Sequence, residues 1–185
     1  MRALVTGGAG FIGSHLVDRL VSRGDEVVVV DNLSSGVLEF IQGHIDSGAV
    51  VSHNVDLKDF ESIKPIFNGI EMVYHLAANP HIRLGTRITD TDLKEGTIAT
   101  YNVLESMRLA NVEKIAFASS SGVYGEIAPM PTPENHGACL PISLYGASKV
   151  SAEAIIAAYS EAYNLQSYIF RFVSILGPRY SHGPR

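Results

Sequence analysis

An α/β fold built on one doubly wound parallel sheet is what this sequence predicts, and three observations predict it. Short apolar runs alternate with longer stretches of helical periodicity along the whole chain, the pattern of strand–helix–strand crossovers. One of those runs, Glu26–Asp31, holds four consecutive valines, which suits a strand covered on both faces. The first run ends in Gly7-Gly8-Ala9-Gly10-Phe11-Ile12-Gly13, a glycine-rich turn that leads into a helix. With 185 residues, 46% of them apolar, the chain can bury one sizeable core.

The elements follow in order. Residues 3–6 read as the first strand. Residues 11–23 read as a helix, with Ile12, Leu16 and Leu20 at helical spacing. Glu26–Asp31 is the second strand and Val50–Asn54 a weaker third. Residues 59–67 form a short helix interrupted by Pro65, which lacks the N–H that a helix interior needs. Residues 71–77 are a strand, 90–111 contain a helix, and 114–119 are the next strand. Residues 143–163 make a long alanine-rich helix with Ser143 as its N-cap. Gln166–Phe172 is the last strand. Residues 126–141 carry four prolines and no helical period. They follow a strand at the carboxyl edge of the sheet, where ligands bind in open α/β folds.

Composition excludes several function classes. The net charge is -5 with no basic cluster, which argues against a nucleic-acid surface. No apolar run approaches the roughly 20 residues that span a bilayer. The first residues carry no secretion-signal pattern. The single cysteine, Cys139, cannot form an internal disulfide, so a reducing, cytoplasmic setting is expected. The seven histidines show no ligand spacing, so no metal site is expected.

The glycine loop carries the first functional signal. Gly8-x-Gly10-x-x-Gly13 lies between a strand and a helix. Glycines there permit a tight turn, close approach of the backbone to a pyrophosphate, and close packing of the helix on the strand. Free N–H groups at the helix start then point at the phosphates. Asp31 ends the second strand, about 20 residues on, where a dinucleotide fingerprint expects an acid. A carboxylate there accepts hydrogen bonds from a ribose 2′-OH and repels a 2′-phosphate, so NAD is favoured over NADP. The alternative for Asp31 is a strand-end cap.

Tyr145 and Lys149 carry the second signal. At i and i+4 they share one face in the first turns of the long helix. A free tyrosine, with a pKa of about 10, is a poor base at neutral pH. A nearby ammonium and a positive nicotinamide ring would lower it. The strand before this helix ends in Ser119-Ser120-Ser121, where a hydroxyl can reach a reacting sugar oxygen or cap backbone groups. His75 reads as a packed polar residue. Tyr124 reads equally as a substrate neighbour and as core.

TGGAGFIGSHL, DNLSSG, HLAA, SSSGVYG and YGASK together resemble the extended short-chain dehydrogenase/reductases, and within them the NAD-dependent sugar epimerase/dehydratase group. The resemblance implies a Rossmann-type NAD-binding domain across residues 1–185, with the family's C-terminal substrate domain missing. It implies Tyr145 as general base, Lys149 as the residue that holds the nicotinamide ribose and tunes Tyr145, and Ser120 as a hydrogen-bond partner of the sugar. Ser121 joins Ser120 and Tyr145 on the substrate side. Cofactor contacts are implied for Gly7, Gly10, Phe11, Ile12, Gly13, Asp31, Asn32, Leu33, Ser34, Ser35, Gly36, Asp56, Leu57, Leu76, Ala77, Ala78, Tyr145 and Lys149, with Asp56 and Leu57 at the adenine end.

Similar dehydratases and decarboxylases carry acids directly after the position of Ser120; here Ser121 and Gly122 stand there. The implied reaction is therefore 4-epimerisation of a nucleotide sugar, UDP-glucose to UDP-galactose, through a transient 4-keto sugar. Rival readings are a UDP-glucuronate epimerase, a keto-sugar reductase, or a non-catalytic NAD-binding module. Pro80, Gly96 and Ser174 depart from a lysine and two asparagines common in the family. Ala147, Ala154, Ala157 and Ala158 give the long helix small positions, and the resemblance implies a homodimer across it.

Overall fold

The computed structural model describes residues 1–126, 129–136 and 140–180. Cys139 and the Gly-Pro-Arg at 183–185 lie outside the described residues. Six strands form one parallel sheet: β1 (Arg2–Thr6), β2 (Glu26–Asp31), β3 (Val50–Asn54), β4 (Met72–His75), β5 (Lys114–Ser120) and β6 (Gln166–Phe172). Their spatial order is β3-β2-β1-β4-β5-β6, the doubly wound Rossmann order. The chain winds outward from β1 to one edge, returns to the centre, and winds to the other edge. The switch point lies between β1 and β4. Thr6 sits opposite both Val30 and His75, so three strands end level at that point.

Alternation along the strands explains the two-sided core. Val28, Val30 and Leu4 point to one face and pack with Phe67, Leu104, Met107 and Ile156. Val27, Val29, Ala3 and Val5 point to the other and pack with Val17, Leu20 and Ile41. All four valines of β2 are 0–3% exposed, so the run of valines is covered on both faces as expected. Each such side chain contributes about 1.5–3 kcal/mol on burial. Helix α1 (Phe11–Ser22) supplies one layer, and α2 (Gln42–Asp46) follows β2. Helices α3 (Phe60–Ile63), α4 (Ala99–Leu109) and α5 (Leu144–Tyr163) supply the other.

Three elements differ from the sequence reading, each for a local reason. Pro65 ends α3 after one turn, and residues Lys64–Phe67 continue as a 3₁₀ turn. The helix expected within 90–111 begins as a π-helical segment, Leu93–Ile98, before α4 proper. β4 stops at His75, two residues earlier than read, because 76–78 turn away to line the cleft. The short turns at Leu38–Phe40, Ile82–Thr86 and Ser121–Val123, and the five-residue α2, are too brief to show periodicity.

Candidate functional site

The cleft at the switch point is lined by the glycine loop, the end of β2, the loop after β4 and Tyr145. Its floor is made by glycine. Gly7 has φ +69°, and a Cβ there would lie 2.9 Å from the Ala77 nitrogen. A Cβ on Gly13 would lie 2.0 Å from the Gly7 carbonyl oxygen, so α1 packs directly on the turn. Helix α1 has no side-chain N-cap and no acid in its first turn. Its first N–H groups have no partner within the helix, and Phe11, Ile12 and Gly13 line the cleft, an arrangement suited to an anion.

Asp31 does two things at once. Its Oδ2 accepts the Ala9 N–H at 3.0 Å and its Oδ1 accepts the Leu33 N–H at 2.9 Å. It therefore ties the glycine loop to the end of β2 while still lining the cleft. The strand-end cap is thus present, on a carboxylate that also borders the cleft. Asn32 donates to Asp56 at 3.1 Å, closing the rim beyond it. Asn32, Ser34, Ser35, Gly36, Asp56 and Leu57 all line the cleft, and Leu33 packs beneath it against the α1-side core.

Sequence reasoning missed Lys58 here. Its ammonium bridges Asp56, at 3.0 Å, and Glu95, which also lines the cleft. Burial acts to raise the Asp56 carboxyl, but hydrogen bonds from Lys58 and Asn32 outweigh it and hold the group below its ordinary value.

Leu76, Ala77 and Ala78 form the opposite wall. Their position depends on Thr6, whose hydroxyl oxygen accepts the N–H groups of Leu76 and Ala77, both at 3.2 Å. The Thr6 hydroxyl also lies 2.7 Å from His75 Nδ1, and His75 Nε2 lies 3.0 Å from the Thr100 hydroxyl. His75 is fully buried, and that burial, with the Lys149 charge nearby, pushes its pKa down to about 3. It is a neutral structural link, as the sequence suggested.

At the far end, β5 and α5 bring Ser120, Tyr145 and Lys149 together. Ser143 caps α5 by accepting the Gly146 N–H at 3.0 Å. Gly146 lets the helix approach the serine loop: a Cβ there would lie 2.7 Å from the Gly122 carbonyl oxygen. Ser120 accepts the Gly122 N–H at 3.1 Å and lines the same cavity as the Tyr145 phenol, whose charged form it favours. Lys149 is buried, donates to the Ala118 carbonyl at 2.7 Å, and stands 4.6 Å over the Phe117 ring and 5.8 Å from the Tyr145 ring centre.

Burial lowers the Lys149 pKa to about 8, so it is still mostly charged at neutral pH. The Tyr145 phenol is raised, first by burial and further by the Asp92 charge, with Ser120 opposing. In the chain's own field desolvation wins; the lowering expected from Lys149 together with a positive nicotinamide ring concerns the site with its cofactor.

A second cavity joins Ser120, Tyr145 and Lys149 to Phe11, Ile12, Pro80 and residues 172–176. Ser174, one of the departures from the family pattern, sits in its wall, and Pro80 borders both cavities. Among the described residues, its lining contains no aspartate or glutamate. Gly96 sits in the π-helical segment, where a Cβ would lie 2.5 Å from the Ser148 hydroxyl. Tyr124 lies under the Arg171 guanidinium, 4.8 Å from its ring centre, and Arg171 is held by Glu153 at 2.7 Å. Among the described residues no group of three or more acids, histidines or cysteines is placed to hold a metal. No helix among the described residues is long and apolar enough to cross a membrane.

Comparison with known proteins agrees with this geometry. The family model described as "NAD dependent epimerase/dehydratase family" matches residues 3–185. A crystal structure of a UDP-galactose 4-epimerase superposes with TM-score 0.90 at 46% identity, covering 99% of this chain and 59% of that one. The Thermus thermophilus UDP-glucose 4-epimerase, solved in complex with NAD, superposes with TM-score 0.83 at 37% identity, covering 92% of this chain and 54% of that one. UDP-glucuronic acid decarboxylase 4 of Arabidopsis thaliana is 34% identical over 97% of this chain and 40% of its own length. The chain thus spans roughly two-fifths to three-fifths of these relatives.

Proposed function

Because the chain belongs to the NAD-dependent epimerase/dehydratase family, whose cofactor is NAD, we propose that it is the cofactor-binding part of a nucleotide-sugar 4-epimerase. The preferred substrate pair is UDP-glucose and UDP-galactose. The observation that carries this reading over the decarboxylase and dehydratase readings is the acid-free lining of the cavity at Ser120 and Tyr145. Eliminating water needs an extra acid and base beside the sugar. Epimerisation needs one group that takes a proton from the C4 hydroxyl and gives it back.

Tyr145 fills that role in this reading, Ser120 orients the hydroxyl, and Lys149 holds the ribose and keeps a positive charge near the phenol. The backbone N–H groups of the glycine loop and the start of α1 hold the pyrophosphate, and Asp31 takes the ribose hydroxyls. NAD, when bound, would supply the reversible hydride acceptor for C4, and its positive ring would oppose the burial that raises Tyr145.

The sugar-binding part belongs to sequence beyond this unit, by analogy with the longer relatives. The apolar outer surface of β6, with Phe170 50% exposed, supports such a neighbour. The reading also includes a cytoplasmic homodimer. Tyr101, Leu109 and Tyr163 on α4 and α5 are exposed, as are Ala147, Ala154, Ala157 and Ala158. Light scattering that finds only monomer would remove the dimer. The full-length enzyme should invert UDP-galactose at C4, followed by NMR, and release no carbon dioxide from UDP-glucuronate. Decarboxylation without inversion would overturn the assignment. NAD binding with no turnover of either sugar would favour a non-catalytic module.

A further inference from the structure

Beyond β6 the chain does not leave the molecule. It turns back across the carboxyl edge of the sheet, and residues 173–176 form one wall of the cavity that contains Tyr145 and Lys149. It then fastens onto helix α1 at three points. His15 Nε2 lies 2.9 Å from the Pro178 carbonyl oxygen, so that nitrogen donates. The Arg179 guanidinium lies 2.9 Å from Asp18 Oδ2, a charge contact without the alignment of a hydrogen bond. The Tyr180 ring meets Phe11 edge-on, 5.3 Å between centres.

Phe11, His15 and Asp18 stand at i, i+4 and i+7, one face of α1. Arg179 also stands 5.5 Å over the ring of Phe40, and Asp18 is paired a second time with His44 at 2.7 Å. The fastening therefore gathers α1, the segment after β2, and residues 176–180.

Two facts connect this fastening to the cofactor. Phe11 and Phe40 both line the dinucleotide cleft, so the side chains that Tyr180 and Arg179 grip are walls of that cleft. Arg179 also has φ +66°, a conformation that residues with a side chain adopt rarely and keep only where their surroundings hold them. The mechanism proposed above uses neither Arg179 nor Asp18.

We propose that residues 176–180 are a strap on the wall of the NAD cleft, and that Arg179, paired with Asp18 and seated on Phe40, is the positioning residue that holds it shut. The strap keeps Phe11 and Phe40 in that wall, and NAD leaves past them. Opening it requires breaking the Arg179 contacts first. NAD release is then limited by strap opening. The proposal rests on NAD as the cofactor, which binding to the wild-type chain tests by itself.

The experiment is displacement of bound NADH by excess NAD, followed by fluorescence in a stopped flow. It uses the wild type, Arg179→Met, Arg179→Lys, Asp18→Asn, and the double variant Arg179→Met with Asp18→Asn. Arg179→Met and Asp18→Asn should each speed release by roughly fivefold, the scale of a partly exposed ion pair plus a ring contact. The double variant should be no faster than the faster single, because both break one latch. Arg179→Lys should keep most of the slow rate, and thermal midpoints should move little. Release at the wild-type rate in Arg179→Met overturns the proposal. So does a double variant whose effect is the product of the two singles, since the residues would then act independently.

Discussion

The two ends of the cleft are made of different materials. At the glycine-loop end, the groups that face a ligand belong mainly to the backbone: the turn at Gly7, the start of α1, and the amides that Asp31 holds in place. At the Tyr145 end they are side chains, drawn from β5 and α5 and set by one close helix approach at Gly146. Backbone sites tolerate almost any outward side chain but no added Cβ at the contact points. Side-chain sites tolerate backbone variation but depend on the field around each group. In the proposed reading the first kind binds and the second does chemistry. That difference predicts that substitutions at the two ends fail in opposite ways.

The largest effect tests the chemical end. Tyr145→Phe in the full-length enzyme should cut turnover by a factor on the order of a thousand, the scale of general acid–base catalysis. NAD affinity should barely change, because the phenol is not part of the backbone cradle. A fall in cofactor binding equal to the fall in turnover would show that the two ends are not separable.

The converse substitution is Gly13→Ala. Its Cβ would need the Gly7 carbonyl to move from 2.0 Å, so loop and helix must part. A cost of about 1–3 kcal/mol in stability is expected, with loss of NADH binding in a fluorescence titration. Gly43→Ala is the comparison: a Cβ there meets nothing within 4 Å in α2. That variant should be neutral or slightly more stable, by up to about 1 kcal/mol. Equal damage from both would mean that the loop is not a tightly packed cradle.

What was legible in the sequence follows the same division. Gly7, Gly10, Gly13 and Asp31 were readable because their constraint is local in sequence. Tyr145 and Lys149 were readable as a pair for the same reason. The supports were not. The Thr6–His75 contact joins residues 69 apart, His75–Thr100 spans 25, and Lys58–Glu95 spans 37. No short-range pattern carries such links. The burial that raises the Tyr145 phenol was not legible either, because an i, i+4 lysine is visible in sequence and burial is not. The strap was invisible for the first reason: Arg179 and Asp18 become neighbours only after the whole sheet is wound.

The buried link between the two ends gives a third prediction, on stability against pH. His75 has a folded pKa of about 3 against an ordinary value of 6.5. Above pH 6.5 the imidazole is neutral in both states and its contribution is complete. As pH falls below 6.5 the unfolded chain binds a proton that the folded chain refuses. Stability should then fall by up to about 1.4 kcal/mol per pH unit, near 2 kcal/mol by pH 5. Urea midpoints at pH 7 and pH 5 measure it. His75→Gln should flatten that slope relative to the wild type, and an unchanged slope would mean that other groups carry it.

Lys149 should show the same linkage at the other side of neutrality, with a smaller reach. Its folded pKa is about 8, and its ordinary value is 10.5. Below pH 8 the ammonium is charged in both states, and the folded chain carries the full cost of burying it. Between pH 8 and 10.5 the folded chain has released the proton while the unfolded chain keeps it. The unfolded state then binds more protons, so stability rises with pH, by up to about 1.4 kcal/mol per unit. Denaturation at pH 7.5 and 9, compared between wild type and Lys149→Met, isolates this component from the tyrosines that titrate higher. A wild type that gains no stability relative to Lys149→Met over that interval would place the amine in a better-solvated site. The gain, if found, means that the fold is less stable at neutral pH because a charge is kept beside Tyr145, where the proposed chemistry uses it.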